Sequence, residues 1–169
     1  MMHKLYKTVP VGIKPLPVWL LSIAGILICI FHAVTSFCSG FYRYLEKVST
    51  YYPETGERVF YDYGKMEEYK MCLGDGFFLF KLYFLLLLMF SVFCIVYHYI
   101  GAKSVYTMKR LKNPIELYVR CYFVPLVFIA AGVISVYAMN YIFIEIYHSF
   151  IPEENLLSLW AEDAWRVWK

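Results

Sequence analysis

Three long apolar runs divide the chain, and polar segments separate them. The first, 16–37 (LPVWLLSIAGILICIFHAVTSF), carries no charge at neutral histidine. The second occupies 77–100, with LYFLLLLMFSVFCIVYHYI as its body and Lys81 one turn in from its start, where an ammonium can snorkel to the headgroups. The third occupies 121–147 and holds two polar residues of note, Asn140 and Glu145. A helix rises about 1.5 Å per residue, so about 20 residues cover the roughly 30 Å of hydrocarbon in a bilayer. Each run is long enough, and each is predicted to be a transmembrane helix. The third is longer than lipid requires, which predicts tilt or projection and puts Glu145 near the far interface. Ala131 and Ser135, four apart, offer a small-residue face for close helix contact.

The segments between are equally distinctive. Residues 1–15 carry Lys4, Lys7 and Lys14 with Pro10 and Pro15, followed by Pro17, a pattern that predicts an extended basic lead. The first apolar run exceeds the roughly 7–15 residues of a signal-peptide core and no A-x-A-like site follows, so it is expected to be retained. Residues 38–76 are polar and aromatic. Within them, Tyr51-Tyr52-Pro53-Glu54-Thr55-Gly56-Glu57 leading into Arg58-Val59-Phe60-Tyr61 reads as a turn between two strand-like runs, so this segment is predicted to be a small folded loop. Residues 148–169 begin near Pro152-Glu153-Glu154, acids suited to a helix start. They then place Leu157, Trp160, Ala161, Ala164 and Trp168 on one face, as in a helix lying at the membrane surface. Packing of that face on a partner subunit is the alternative.

Composition changes the class of protein, not the elements. Hydrophobic residues make up 61% and charged residues 17% of 169, with 17 Tyr and 14 Phe, and the mean hydropathy is +0.55. Soluble domains run at about 45–50% apolar and about 25% charged. The expected fold is therefore an all-α integral membrane protein with three transmembrane helices, a folded external loop and a C-terminal interfacial helix. The net charge of +3 is modest and unevenly distributed, and it offers no basic surface for nucleic acid.

Charge decides the expected orientation. The segment 101–120 (GAKSVYTMKRLKNPIELYVR) holds Lys103, Lys109, Arg110, Lys112 and Arg120 against the single acid Glu116. The longer segment 38–76 holds seven acids and five bases. The denser basic segment is expected inside, giving a multi-pass protein of the cell membrane with a cytoplasmic N-terminus and an extracellular C-terminus. On that assignment Cys38 and Cys72 both face outward. A disulfide between them would close a loop of about 35 residues, with about 3–4 kcal/mol of stabilisation by chain entropy; two unbridged thiols are the other reading. Cys29, Cys94 and Cys121 read as small apolar fillers.

No catalytic motif is present: there is no C-x-x-C, H-E-x-x-H, G-x-x-x-x-G-K-[ST] or G-x-S-x-G. His3, His32, His98 and His148 are scattered, so no metal site or cofactor is expected, and an enzyme is not expected. What remains is the middle loop. Its Thr107-Met108, Leu111-Lys112-Asn113-Pro114, Glu116-Leu117 and Arg120 resemble the cytoplasmic loop of ABC-2-type transporter permeases, whose first half also runs span, external loop, span, loop, span. That resemblance implies a three-span subunit of an export complex that docks on an ATP-binding cassette subunit. The contact residues would be Ser104, Val105, Tyr106, Met108, Arg110, Leu111 and Glu116, with further permease subunits or self-association completing a pathway in the bilayer. The chain departs from the family pattern in having three spans rather than about six per half, and a proline-rich lead where an amphipathic helix is usual. The other reading is a non-transport accessory, sensor or immunity protein whose external loop binds a peptide or lipid.

Overall fold

The structure, a computed structural model, describes residues 14–61, 64–66, 69–100, 115–152 and 155. Helices make up 80% of these. In chain order they form α1 (Pro15–Val48), β1 (Ser49–Tyr52), β2 (Glu57–Phe60), α2 (Tyr69–Leu73), α3 (Phe78–Ile100) and α4 (Ile115–Phe150). Three of the helices, α1, α3 and α4, are long and apolar enough to cross a membrane, which makes this a multi-pass membrane protein.

Helix α1 begins at Pro15 with Pro17 still in its first turn, where a missing N–H removes no helical hydrogen bond. It continues from Phe37, where the apolar run ends, to Val48. The extension has a sequence cause: Phe37, Phe41, Leu45 and Val48 keep a three-to-four residue spacing and turn inward as a buried or half-buried stripe. At 34 residues α1 is about 51 Å long, and α4 at 36 residues about 54 Å, so each exceeds the hydrocarbon by about 20 Å. Helix α4 likewise starts ahead of its expected boundary at 121 and ends past 147. The segments 38–76 and 101–120 are thus shorter as connections than the polarity pattern predicts.

By internal packing the chain divides into two units, Met1–Ile30 with Phe78–Ser135, and Phe31–Phe77 with Val136–Lys169. In the first unit three helix segments meet pairwise. The Tyr83 hydroxyl of α3 donates to the Ser22 carbonyl of α1 at 2.8 Å, and the Tyr83 ring lies directly on Gly25, where a Cβ would collide with it. Phe84 occupies the same relation to Gly132 of α4, 2.5 Å from where a Cβ would stand. Trp19 and Phe128 close the remaining side edge to face at 5.3 Å. Cys94 and Cys121 are buried together with Phe90 and Ile95 against them. Small residues let helices approach where no hydrophobic driving force separates lipid from protein. The close approach falls at Gly132, beside the expected Ala131–Ser135 face; the Ser135 hydroxyl instead donates to the Ala131 carbonyl of its own helix at 2.8 Å. Ser22 and Ser91 satisfy their hydroxyls in the same way, on Val18 and Leu87. Pro125 interrupts the hydrogen-bond ladder of α4 within this unit.

Candidate functional site

The second unit carries the fold's most specific side-chain arrangement. Its two helix segments, the end of α1 and the end of α4, run parallel: Phe37 stacks on Phe143 at 4.3 Å and 7°, and Phe41 meets the Tyr147 and Phe150 rings edge on. Aromatic pairs of this kind add to plain area burial. Around them Val48, Met66, Cys72, Tyr147 and Ile151 form a buried cluster, with Phe60 and Tyr69 packed against it.

The polar connection between α1 and α3 is tied down by backbone groups. The hairpin pairs Ser49 with Phe60, Thr50 with Val59, Tyr51 with Arg58 and Tyr52 with Glu57. It turns through Gly56, at a φ of 70° that side chains other than glycine rarely adopt, and the Gly56 N–H donates to the Tyr52 carbonyl at 2.9 Å. Farther on, α2 lies so close to α1 that a Cβ at Gly40 would fall on the Cys72 carbonyl. His32 Nδ1 donates to the Gly76 carbonyl at 3.2 Å and the Ser36 hydroxyl to the Leu73 carbonyl at 3.3 Å. Both donate to carbonyls at and just past the end of α2, where helix carbonyls lack intrahelical partners, and the Leu73 carbonyl also accepts from the Gly76 N–H at 3.1 Å. Asn155 then clasps the far end: its Nδ2 donates to the Tyr61 and Gly64 carbonyls at 3.2 and 2.6 Å, and its own carbonyl accepts from the Met66 N–H at 2.9 Å.

One polar residue of α4 gains a partner that the apolar run did not suggest. The Tyr69 hydroxyl of α2 donates to Asn140 Oδ1 at 2.9 Å. Burial, with a smaller contribution from the Cys72 thiol beside it, pushes the Tyr69 hydroxyl well above its ordinary value, so it stays a donor throughout the working pH range. Glu145 is exposed on α4, where its side chain hydrogen-bonds with Tyr141 of the same helix.

Between α1, α4 and the hairpin lies a groove of about 720 Å³. Val34, Phe37, Phe41 and Leu45 of α1 and Ile142, Phe143, Ile146 and Phe150 of α4 line it, with Phe60 contributed by the hairpin. Its lining is almost wholly apolar; the charge is Arg58, set beside Tyr42 and Tyr51 at one end. Arg58 Nη1 donates to the Ser49 hydroxyl at 3.3 Å, and the guanidinium lies 6.0 Å and 5.9 Å from the Tyr42 and Tyr51 ring centres. Ser49 in turn donates its proton to the Leu45 carbonyl at 2.6 Å, so it can only accept from Arg58.

The residues expected to contact an ATPase do not enter this site. Ser104, Val105, Tyr106, Met108, Arg110 and Leu111 lie outside the described residues; Glu116 falls in the first turn of α4, with its side chain outside them too. The face expected from Leu157 to Trp168 also lies outside them. Cys38 is exposed and lines the groove, Cys72 is buried, and no disulfide joins them. Among the described residues no group of three His, Cys, Asp or Glu side chains could hold a metal. The sequence reading passed over the groove because each of its apolar residues is ordinary for a span. The available signal was the continuation of the Phe37–Phe41–Leu45 stripe into a segment already carrying Arg43, Glu46 and Lys47, since a helix that goes on burying one face beyond the lipid must have something to bury it against. No family model matches the chain, no curated protein matches it, and no solved structure matches its fold.

Proposed function

We propose that this chain is a non-enzymatic accessory protein of the cell membrane that holds the apolar part of an amphiphile in the groove of its second unit. The observation that carries the reading is the groove itself. At about 720 Å³ it lies within the roughly 300–1,000 Å³ of small-molecule sites. It is built from two long helices and a hairpin, with the residues that follow the hairpin, Tyr61 and Gly64, held by Asn155 and α2 held close against α1 at Gly40. With the N-terminus inside, the groove and the hairpin belong to the outer side, where the protein would present or sequester its ligand.

The test is native mass spectrometry of the full chain released gently from membranes. Lipid-mass adducts are expected on the native chain and fewer on Ile142→Trp, which fills the groove from an exposed wall position without disturbing the buried Phe37–Phe143 pair. Equal adducts on both proteins would refute the assignment.

The resemblance of Thr107-Met108, Leu111-Lys112-Asn113-Pro114, Glu116-Leu117 and Arg120 to a permease coupling loop supports a second reading, a small subunit of an ABC-type exporter. In that role the same protein would contact an ATP-binding cassette subunit through Ser104, Val105, Tyr106, Met108, Arg110, Leu111 and Glu116. Met108→Asp should then abolish ATPase co-purification while leaving membrane insertion intact; co-purification that survives the substitution removes the docking assignment.

A further inference from the structure

We infer that the ligand of the groove is a phospholipid whose phosphate is bound by Arg58 while its acyl chain lies between α1 and α4. This rests on the groove reading above and names the chemistry of its polar end.

Arg58 is the cation of an otherwise apolar cleft, and the structure fixes it there. Its strand partner is Tyr51, one of the two rings that flank it, so the hairpin register sets its position. The chain of donors from Arg58 to Ser49 to the Leu45 carbonyl anchors one guanidinium nitrogen to the end of α1. A guanidinium has five N–H donors, and Ser49 takes one of them. Among the described residues no carboxylate pairs with it. The remaining donors form a planar fork matched to phosphate oxygens, half-exposed beside the cleft.

The dimensions agree with a lipid. From Val34 to Leu45 the α1 wall runs about 17 Å at 1.5 Å per residue, enough for most of an extended acyl chain. The groove is lined mainly by rings and branched side chains, and its single charge, Arg58, comes from the hairpin, the distribution of a lipid rather than of a peptide, whose backbone would need hydrogen-bond partners along its length. The surrounding segment is not electropositive: residues 38–76 carry seven acids to five bases. Attraction of the headgroup is therefore local to Arg58, and it selects for phosphate rather than for net negative charge.

The experiment presents the purified full chain, freed of native lipid, with an equimolar mixture of dioleoyl phosphatidylglycerol and dioleoylglycerol, and reads the bound masses by native mass spectrometry. The wild-type chain should retain the phospholipid about tenfold over the phosphate-free lipid, as expected for one charge-assisted contact. Arg58→Gln should bring the ratio close to one while total lipid retention persists, and Arg58→Lys should fall between. Phosphatidylcholine should compete as well as phosphatidylglycerol, because the phosphate is shared. A ratio near one in the wild type, or a preference unchanged in Arg58→Gln, overturns the phosphate assignment and leaves the groove reading in place. Retention of neither lipid, or a dimer of the chain in place of lipid adducts, overturns both. Circular dichroism of Arg58→Gln separates a lost contact from a lost hairpin.

Discussion

The Tyr69 hydroxyl and the Asn140 side-chain oxygen, 71 residues apart in sequence, form a 2.9 Å hydrogen bond that fastens the short helix α2 to the long helix α4. Removing the donor leaves a half-buried amide oxygen without its partner. Tyr69→Phe is expected to destabilise the second unit by about 1–3 kcal/mol. Thermal unfolding in detergent checks it, and the double variant Tyr69→Phe/Asn140→Leu should recover part of the loss. Full additivity of the two single changes would mean that they do not interact.

The same hydroxyl gives a pH dependence. Its pKa is raised in the folded protein by burial, then by Cys72. Below about pH 10, the ordinary tyrosine value, both folded and unfolded states keep the proton and stability is flat. Above it the unfolded chain ionises first, so stability falls as pH rises toward the folded value. Unfolding midpoints should drop more steeply above pH 10 in the native chain than in Tyr69→Phe. Parallel curves would assign the alkaline loss to other tyrosines.

Gly40 and Gly56 separate two reasons for glycine. Gly40→Ala places a Cβ on the Cys72 carbonyl, a backbone atom that cannot swing aside, and should destabilise by about 1–3 kcal/mol. Gly56→Ala meets open space, and its loss of about 1 kcal/mol comes from the left-handed backbone alone. Chemical denaturation of the two variants should rank them in that order.

Asn155 is the clasp between the end of α4 and the segment after the hairpin. Asn155→Ala removes two hydrogen bonds to carbonyls and should cost about 1–3 kcal/mol. Limited proteolysis reads the consequence more locally: cleavage near Tyr61 to Lys65 should accelerate in the variant while the helices stay intact.

How much of this was visible beforehand differs by level. The three membrane helices follow from length and apolarity, because lipid imposes one requirement on every residue of a span and the signal accumulates over about 20 positions. The hairpin was legible at Pro53 to Gly56, where turn chemistry is local. The helix ends were not. The polar composition after Phe37 suggested a loop, while Phe41, Leu45 and Val48 continued the buried stripe and won. Tyr69 pairing with Asn140 and Gly40 lying against Cys72 are contacts between distant segments, and Arg58 lines a groove whose walls come from α1 and α4. No local pattern encodes them, since each joins residues that are far apart in sequence. The coupling-loop resemblance was legible as sequence and stays a proposal.

The cysteines offer a check on burial. Of the five, Cys38 is exposed and Cys29, Cys72, Cys94 and Cys121 are buried. A maleimide applied to the folded protein in detergent should modify Cys38 alone on the minute scale. All five should react after denaturation without reductant. A mass short of five labels would reveal a disulfide, and fast labelling of Cys72 would contradict the packing of α2 on α1.

If the groove holds an acyl chain, lipid contacts concentrate there rather than over the lipid-facing surface at large. The direct measurement is photocrosslinking in bilayers with a phospholipid bearing a diazirine on its acyl chain, followed by peptide mapping of the adducts. Adducts should concentrate on Phe41, Leu45, Ile142 and Ile146, and be lost in Ile142→Trp. Adducts spread evenly over outward residues such as Leu20, Leu27, Leu85 and Met89, with no enrichment in the groove, would contradict it.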